Sequence, residues 1–249
     1  MRDLGDGFIL DRFSRHHVTP ENISAMGALI EHLTSGKKRG VTEEDIRRTI
    51  AQENFYISAI FQNGLLVGMA SIHINRWHLS HRIAYVDDVV VAPATQGRGL
   101  SRVLMADLER QARDWSASYI DLTSSPDRVA ANSLYQKLGF APQDVSSFRI
   151  PVPKGKPPIW SFGYSAHSSI TTGKQIVHSI RTLMGRKAFV DSRSFSNALG
   201  EAIPGELLAA AMLFHAEELN VFTPNDFDGT QLTELGFEKR DTNVYRLEL

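Results

Sequence analysis

The chain has no cysteine among its 249 residues, which excludes disulfides, thiol nucleophiles and cysteine metal sites together. It also lacks an excess of charge of either sign. With 27 Lys and Arg against 28 Asp and Glu, the formal net charge is -1. That balance supplies no field for nucleic acid or for an anionic membrane surface. No apolar run approaches the ~20 residues that cross a bilayer, and residues 1–10 are mixed and charged rather than signal-like. A cytoplasmic protein with neither nucleic acid nor membrane as partner is the expectation. What is present is ordinary for a globular chain: 42% hydrophobic and 22% charged residues, enough for one large domain or two modest ones.

The first helical signal runs from Thr19 to Leu33. Threonine stands as cap, Pro20 opens the first turn, and Ile23, Met26, Ile30 and Leu33 recur near period 3.6. Thr42 caps a second helix with Glu43, Glu44 and Asp45 in its first turn. Phe55–Phe61 and Leu65–Ile74 alternate as strands around Asn63-Gly64, a strong hairpin signal. A polar loop, Arg76–Arg82, leads to the strand Ile83–Val91. The segment Gln96–Trp115 is expected to be helical, with Leu100, Leu104, Leu108 and Ala112 on one face. Tyr119–Thr123 follows as a short strand. Ser125-Pro126-Asp127 is expected to cap a helix ending at Leu138, with Gly139 as its stop. Phe148-Arg149-Ile150 is expected to close this unit as its last strand.

The segment Pro151–Pro158 is proline-rich and basic, and the domain boundary is expected there, giving units of residues 1–153 and 159–249. The second unit echoes the first. Ala188-Phe189-Val190-Asp191 repeats Ala84-Tyr85-Val86-Asp87. Leu235-Gly236-Phe237 and Tyr245-Arg246-Leu247 repeat Leu138-Gly139-Phe140 and Phe148-Arg149-Ile150 at the same separation. Element order also matches: strand, helix (Pro204–Glu217), strand (Leu219–Thr223), short helix, closing strand. Duplication is the expectation. Ser194–Gly200 lacks a paired-glycine turn, and Asn225–Glu234 has no counterpart of Tyr135. The second unit is therefore expected to be structural, to shape the acceptor cleft, or to pair subunits as a homodimer.

The chemistry gathers between Ala84 and Phe140. An apolar strand feeds Gln96-Gly97-Arg98-Gly99 at a helix start, a place for a phosphorylated ligand. Main-chain N–H groups of a first helical turn point outward, and the macrodipole adds positive character there. Gly97 and Gly99 tolerate the left-handed dihedrals of a backbone anion nest. Arg98 and Arg102 either add charge or are solvated. A dinucleotide turn would need a third glycine where Arg102 stands, and a Walker loop would need Gly-Lys-Ser/Thr, a test that Gly173-Lys174-Gln175 also fails.

These residues resemble the GNAT acyl-CoA N-acyltransferase superfamily over roughly residues 15–150, most closely from Val86 to Phe140. The family pattern at the turn matches Gln96-Gly97-Arg98-Gly99-Leu100, with Ser101 departing from the usual final glycine or alanine. Asn132, Tyr135 and Leu138-Gly139-Phe140 match its second CoA-contacting segment. The resemblance implies an α/β fold with a mixed sheet (α+β), followed here by a partial GNAT-like repeat. It implies acetyl-CoA as co-substrate, bound by Val89, Val90, Val91, the residues from Gln96 to Arg102, Asn132 and Tyr135. It further implies that the strand Val89–Val91 splays from its neighbour and pairs with the pantetheine arm, where an N–H can stabilise an oxyanion.

Leu134 and Leu138 are expected to hold the last helix against the sheet, leaving Asn132 and Tyr135 toward the cofactor. Tyr135, as a phenol protonated at neutral pH, would protonate the leaving thiolate. Asp87 and Asp88, adjacent on a strand, are expected to face opposite ways; one binds the acceptor amine or takes its proton, or both are structural. No metal is expected, because His73, His78 and His81 are irregularly spaced and no cysteine assists. Trp77 beside them is a candidate acceptor contact. The implied activity is acetyl transfer to a primary amine; the alternative is a non-catalytic acyl-CoA-binding or sensing protein. No motif identifies the amine.

Overall fold

The computed structural model describes residues 1–36, 40–76, 82–151, 163–164, 169–172, 175–182, 185–190, 218–224, 229–234 and 236–249. The expectations for Trp77, His78, His81, Ser194–Gly200, the helix Pro204–Glu217 and most of the connector lie outside them. In chain order the elements are β1 (Arg2–Gly5), β2 (Phe8–Arg12), α1 (Pro20–Leu33), α2 (Glu43–Ile50), β3 (Phe55–Gln62), β4 (Leu65–Arg76) and β5 (Arg82–Val91). Next come α3 (Leu100–Asp114), β6 (Tyr119–Ser124), α4 (Val129–Lys137), β7 (Ala141–Pro142) and β8 (Val145–Pro151). The remainder is β9 (Gly163–Tyr164), β10 (Ser169–Thr172), β11 (Gln175–Thr182), β12 (Gly185–Val190), β13 (Glu218–Pro224), α5 (Thr230–Glu234), β14 (Glu238–Arg240) and β15 (Asn243–Glu248). The mixed α/β class expected from the sequence is the one found.

Local chemistry sets most boundaries. Thr19 Oγ1 accepts from the Asn22 N–H at 3.3 Å, and Thr42 Oγ1 from the Asp45 N–H at 3.1 Å, so both threonines cap as expected. Asn63 and Gly64 take φ of 51° and 84°, the two positive values of a tight hairpin turn between β3 and β4. Two helices start later than their sequence suggests. Gln96 is extended, Gly97 and Gly99 are left-handed, and α3 begins only at Leu100. Likewise Ser125–Arg128 forms a turn, the Arg128 N–H donating to the Ser125 carbonyl at 3.1 Å, before α4 begins at Val129. At the far end of α4, Gly139 at φ 90° lets its own N–H reach Gln136 and the Phe140 N–H reach the Tyr135 carbonyl, both at 3.0 Å. That pair of bonds closes the helix as a Schellman motif.

The chain divides into two compact units that interleave in sequence. The first comprises Met1–Thr123, Val129–Ala141 and Tyr245–Leu249; the second comprises Ser124–Arg128 and Pro142–Val244. The first sheet runs β1-β2-β3-β4-β5-β6-β15-β7 and the second β14-β8-β13-β12-β11-β10-β9. The closing strands thus differ from expectation. Phe148-Arg149-Ile150, on β8, pairs with β13 in the second sheet, and Tyr245-Arg246-Leu247, on β15, stands beside β6 in the first. The two segments are near copies, so alternation and composition cannot say which sheet each completes.

One face of the first sheet packs under α3. Tyr56, Ile60, Ala70, Ile72, Val86 and Ile120 meet Leu100, Leu104, Leu108 and Ala112, the helix face read from the sequence. A polar clamp fixes α3 as well. Tyr56 Oη and Ser58 Oγ donate to Asp107 Oδ2 at 2.9 and 2.8 Å, and Arg110 donates to Oδ1 at 2.8 Å. Burial and the neighbouring Asp107 carboxylate both push the Tyr56 phenol well above its ordinary value, so it stays a donor.

Candidate active site

The candidate site lies where β5 leaves β6. Parallel pairing runs only from Ile83 opposite Tyr119 to Val86 opposite Leu122. From Asp87 onward β5 keeps its β4 partner, with Val90 opposite Met69 and Val91 opposite Gly68, but has no β6 partner. The strands therefore splay, exposing a main-chain edge along Val89–Val91. Val89 is half-buried, while Val90 and Val91 are buried.

A bulge opens at the same place. Two residues of β5, Asp88 and Val89, stand opposite the single residue Ala70 of β4, and Asp88 carries φ 53°. Burial still alternates along this stretch, Asp87 being half-buried and Asp88 buried. Ser71, the register partner of Asp87, donates to the Asp87 carbonyl at 3.1 Å and lies 3.5 Å from Asp88 Oδ2. Asp88 is 3% exposed and Asp87 half-buried, so Asp87 is the more accessible carboxylate.

Past β5, the turn Gln96–Gly99 is exposed. Gly97 and Gly99 adopt φ of 79° and 75°, and a Cβ at either would meet nothing within 4 Å. Glycine is needed here for the dihedral, not for room. Among the described residues, none of the main-chain N–H groups from Gly97 to Ser101 has an acceptor; the ladder of α3 starts with the Arg102 and Val103 N–H groups on the Gly99 carbonyl. These groups and the helix dipole favour an anion. Gln96 Nε2 donates to the Val91 carbonyl at 3.3 Å and stands 3.4 Å from His32 Nε2 on α1, tying turn to strand. Arg98 leans toward Asp6 Oδ2 at 3.7 Å and over the Phe8 ring at 5.6 Å. That exposed pair is worth about 0–1 kcal/mol and does not commit the guanidinium. Arg102 is exposed on the first turn of α3.

Asn132 and Tyr135 are together on one face of α4, as their spacing requires. It is the inward face: they are 9% and 6% exposed, whereas Leu134 and Leu138 are half-buried. This reverses the expected division of the helix. The Tyr135 ring sits 6.0 Å from Phe140 and joins the cluster containing Val86, Leu100 and Leu122.

Asp121 and Arg246 went unnoticed in the sequence, and His73 was read only as one of three irregularly spaced histidines. His73, 2% exposed, stacks on Tyr85 with ring centroids 5.3 Å apart. Asp121, the register partner of Tyr85, is gripped by Arg246 of β15, Nε to Oδ1 at 2.7 Å and Nη2 to Oδ2 at 2.8 Å. The one available signal was Asp121 itself, since a carboxylate in an apolar strand demands a cation. Elsewhere, Asp11, His16 and His17 bring ligand atoms within 4.8 Å of one another. The Ser14 N–H already donates to His17 Nδ1 at 3.1 Å, which leaves the proton of the neutral ring on Nε2. An ion could not take Nε2 without breaking that cap.

Residues 26–140 match the model of the acetyltransferase (GNAT) family. An aminoalkylphosphonate N-acetyltransferase of Salmonella typhimurium is 26% identical over 128 residues, covering 51% of this chain and 82% of that protein. A streptothricin acetyltransferase of Streptomyces lavendulae is 31% identical over 83 residues, covering 33% of this chain and 42% of the relative. Among solved structures, a GCN5-related N-acetyltransferase from Sphaerobacter thermophilus superposes with TM-score 0.55 at 14% identity, over 99% of this chain and 97% of its own. A Pyrococcus horikoshii structure does so with TM-score 0.58 at 13% identity, over 100% and 92%. At such identities the structures speak for the fold alone, and they do so for both units.

Proposed function

We propose, from the match of residues 26–140 to the acetyltransferase (GNAT) family model, that the protein moves an acetyl group from acetyl-CoA to a primary amine by direct attack. The observation that carries this reading is the run of unoccupied N–H groups at Gly97–Ser101 beside a splayed β5 edge. The diphosphate of CoA meets those N–H groups, and the pantetheine arm pairs along Val89–Val91. The amine nitrogen attacks the thioester carbonyl, an N–H at the bulge steadies the oxyanion, and the C–S bond then breaks. Tyr135 gives its phenolic proton to the departing sulfur, and Asp87, with Asp88 behind it, takes the proton of the ammonium directly or through water. Asn132 orients the cofactor from the same face of α4. Most of the rate comes from placing two substrates together and from oxyanion stabilisation.

Calorimetry with acetyl-CoA tests the donor, and thiol release across an amine panel tests the transfer. An aminoalkylphosphonate and streptothricin are the first amines to try, given the names of the two relatives. Failure to bind acetyl-CoA would remove the proposal. The burial of Tyr135 favours one competing reading, a protein that binds acyl-CoA without turnover. Binding without thiol release on any amine would establish that reading instead.

The second unit fits a worn copy of the first, kept for structure or for shaping the acceptor cleft. Ala84 faces Ile120 and Val86 faces Leu122 in one sheet, as Ala188 faces Leu219 and Val190 faces Val221 in the other. Light scattering of the full chain decides whether it also pairs protomers. Among the described residues no helix is long and apolar enough to cross a membrane.

A further inference from the structure

We infer that Arg246, delivered by the last strand of the chain, is a positioning residue that keeps the groove between β5 and β6 open. The inference rests on the acetyl-CoA reading of that groove. β6 is shared between two neighbours, β5 on one side and β15 on the other. Its ladder to β5 ends at the pair Val86–Leu122, and Asp121 is one residue short of that end. At this point β6 must stop following β5 and continue beside β15. The bulge at Asp88 bends β5 away and main-chain bonds join β6 to β15, but neither gives a reason why β6 holds that course rigidly.

Arg246 supplies the reason. Both oxygens of Asp121 receive a guanidinium bond, a geometry that fixes direction as well as distance. The same guanidinium carbon lies 4.0 Å over the ring of Tyr119, two residues earlier on the same face of β6. One side chain thus holds two successive positions of β6 to β15, immediately before the splay. Asp121 and Arg246 are only 8% and 18% exposed at their side chains, so the pair is little screened by solvent. With the clamp present, β6 tracks β15 and leaves the β5 edge at Val89–Val91 available. Without it, β6 keeps only its main-chain bonds to β15 and can shift toward β5, narrowing the place of the pantetheine arm.

The test uses the full chain and CoA itself as the probe. Arg246→Leu should weaken CoA binding on the order of tenfold by calorimetry, at a temperature where the variant is fully folded. Arg246→Lys, which keeps charge but loses the fork, should fall between. Amide exchange of residues 87–91 should slow in Arg246→Leu as pairing extends past Val86, a change that mere destabilisation would not produce. The double variant Asp121→Leu with Arg246→Leu replaces a buried ion pair by apolar groups and should recover folding stability without recovering CoA affinity. If CoA affinity instead follows stability, returning in the double variant, or if exchange at 87–91 is unchanged, the positioning role is overturned. If the parent chain itself does not bind CoA, the acetyl-CoA reading falls and this inference falls with it.

Discussion

At two matching places the two units share backbone geometry and differ in the side chains they carry. In the first, α4 ends with the Phe140 N–H on the Tyr135 carbonyl; in the second, α5 ends with the Phe237 N–H on the Leu232 carbonyl at 2.9 Å. Gly139 and Gly236 take φ of 90° and 87°. The same motif therefore places Tyr135 in one unit and Leu232 in the other, and three residues earlier Asn132 in one and Gly229 in the other. On the strands, Asp121 faces Tyr85 where Asn220 faces Phe189. Each closing strand brings an arginine to that position: Arg246 bonds Asp121, and Arg149 is the register partner of Asn220. A helix stop and a strand register act through the main chain and do not depend on whether a phenol, a carboxylate or an apolar group stands there.

The comparison breaks most readily at the anion turn. Gly99→Val forces a β-branched residue toward φ 75°, a cost of roughly 1–2 kcal/mol, and the turn should reshape to escape it. Acetyl-CoA affinity by calorimetry should fall at least about tenfold, each ~1.4 kcal/mol of lost anion binding being a factor of ten. Next is Tyr135→Phe, which makes the first unit resemble the apolar second at this position. Turnover should drop roughly 10²-fold while CoA affinity stays nearly unchanged, as a general acid requires. Equal turnover by steady-state kinetics would remove the acid role.

Asp121→Asn copies the amide of Asn220 into the first sheet. Losing the charge-assisted fork should cost about 1.5–3 kcal/mol in denaturant unfolding. The reverse change, Asn220→Asp, should cost less or stabilise if Arg149 answers the new carboxylate. A cost equal to that of Asp121→Asn would count against equivalence of the two positions.

The smallest effect concerns His17, which stacks on Phe61 at 4.4 Å in the first unit. Burial, and then the neighbouring His16, hold its proton affinity below the ordinary value. The unfolded chain therefore binds the proton more tightly, and stability should fall as pH drops below about 6.5. His17→Phe keeps the stack and should flatten that part of the stability–pH curve, although it also removes the acceptor of the Ser14 N–H. An unchanged slope in urea titrations between roughly pH 5 and 7 would contradict the assignment.

Much of the fold and part of the site could be read in advance, for local reasons. Thr19 and Thr42 cap, Asn63-Gly64 turns and Gly139 stops a helix because each acts through bonds within a few residues. The paired-glycine turn before α3 was legible for the same reason, since glycine spacing and a helix start suffice to define it. The late start of α3 was missed because Gly97 and Gly99 spend their freedom on left-handed dihedrals rather than on helix. The burial of Tyr135 was missed because Leu134 and Leu138 offered an apolar face, whereas only Leu138 packs against the core and both stay half-buried. The bulge at Asp88 left no mark, because aspartate is permitted in extended and left-handed backbone alike.

The amino-acid order alone determined the caps, the hairpin turn and the paired-glycine turn of the first unit. Those features are fixed by local dihedral preference and side-chain periodicity, which neighbouring residues settle among themselves. Tertiary structure decided which closing strand completes which sheet, where β5 and β6 part, and that Arg246 reaches back to Asp121. Two nearly identical strands have nearly identical local energies. Only the packed sheets, by matching register and pairing a buried charge, could choose between them.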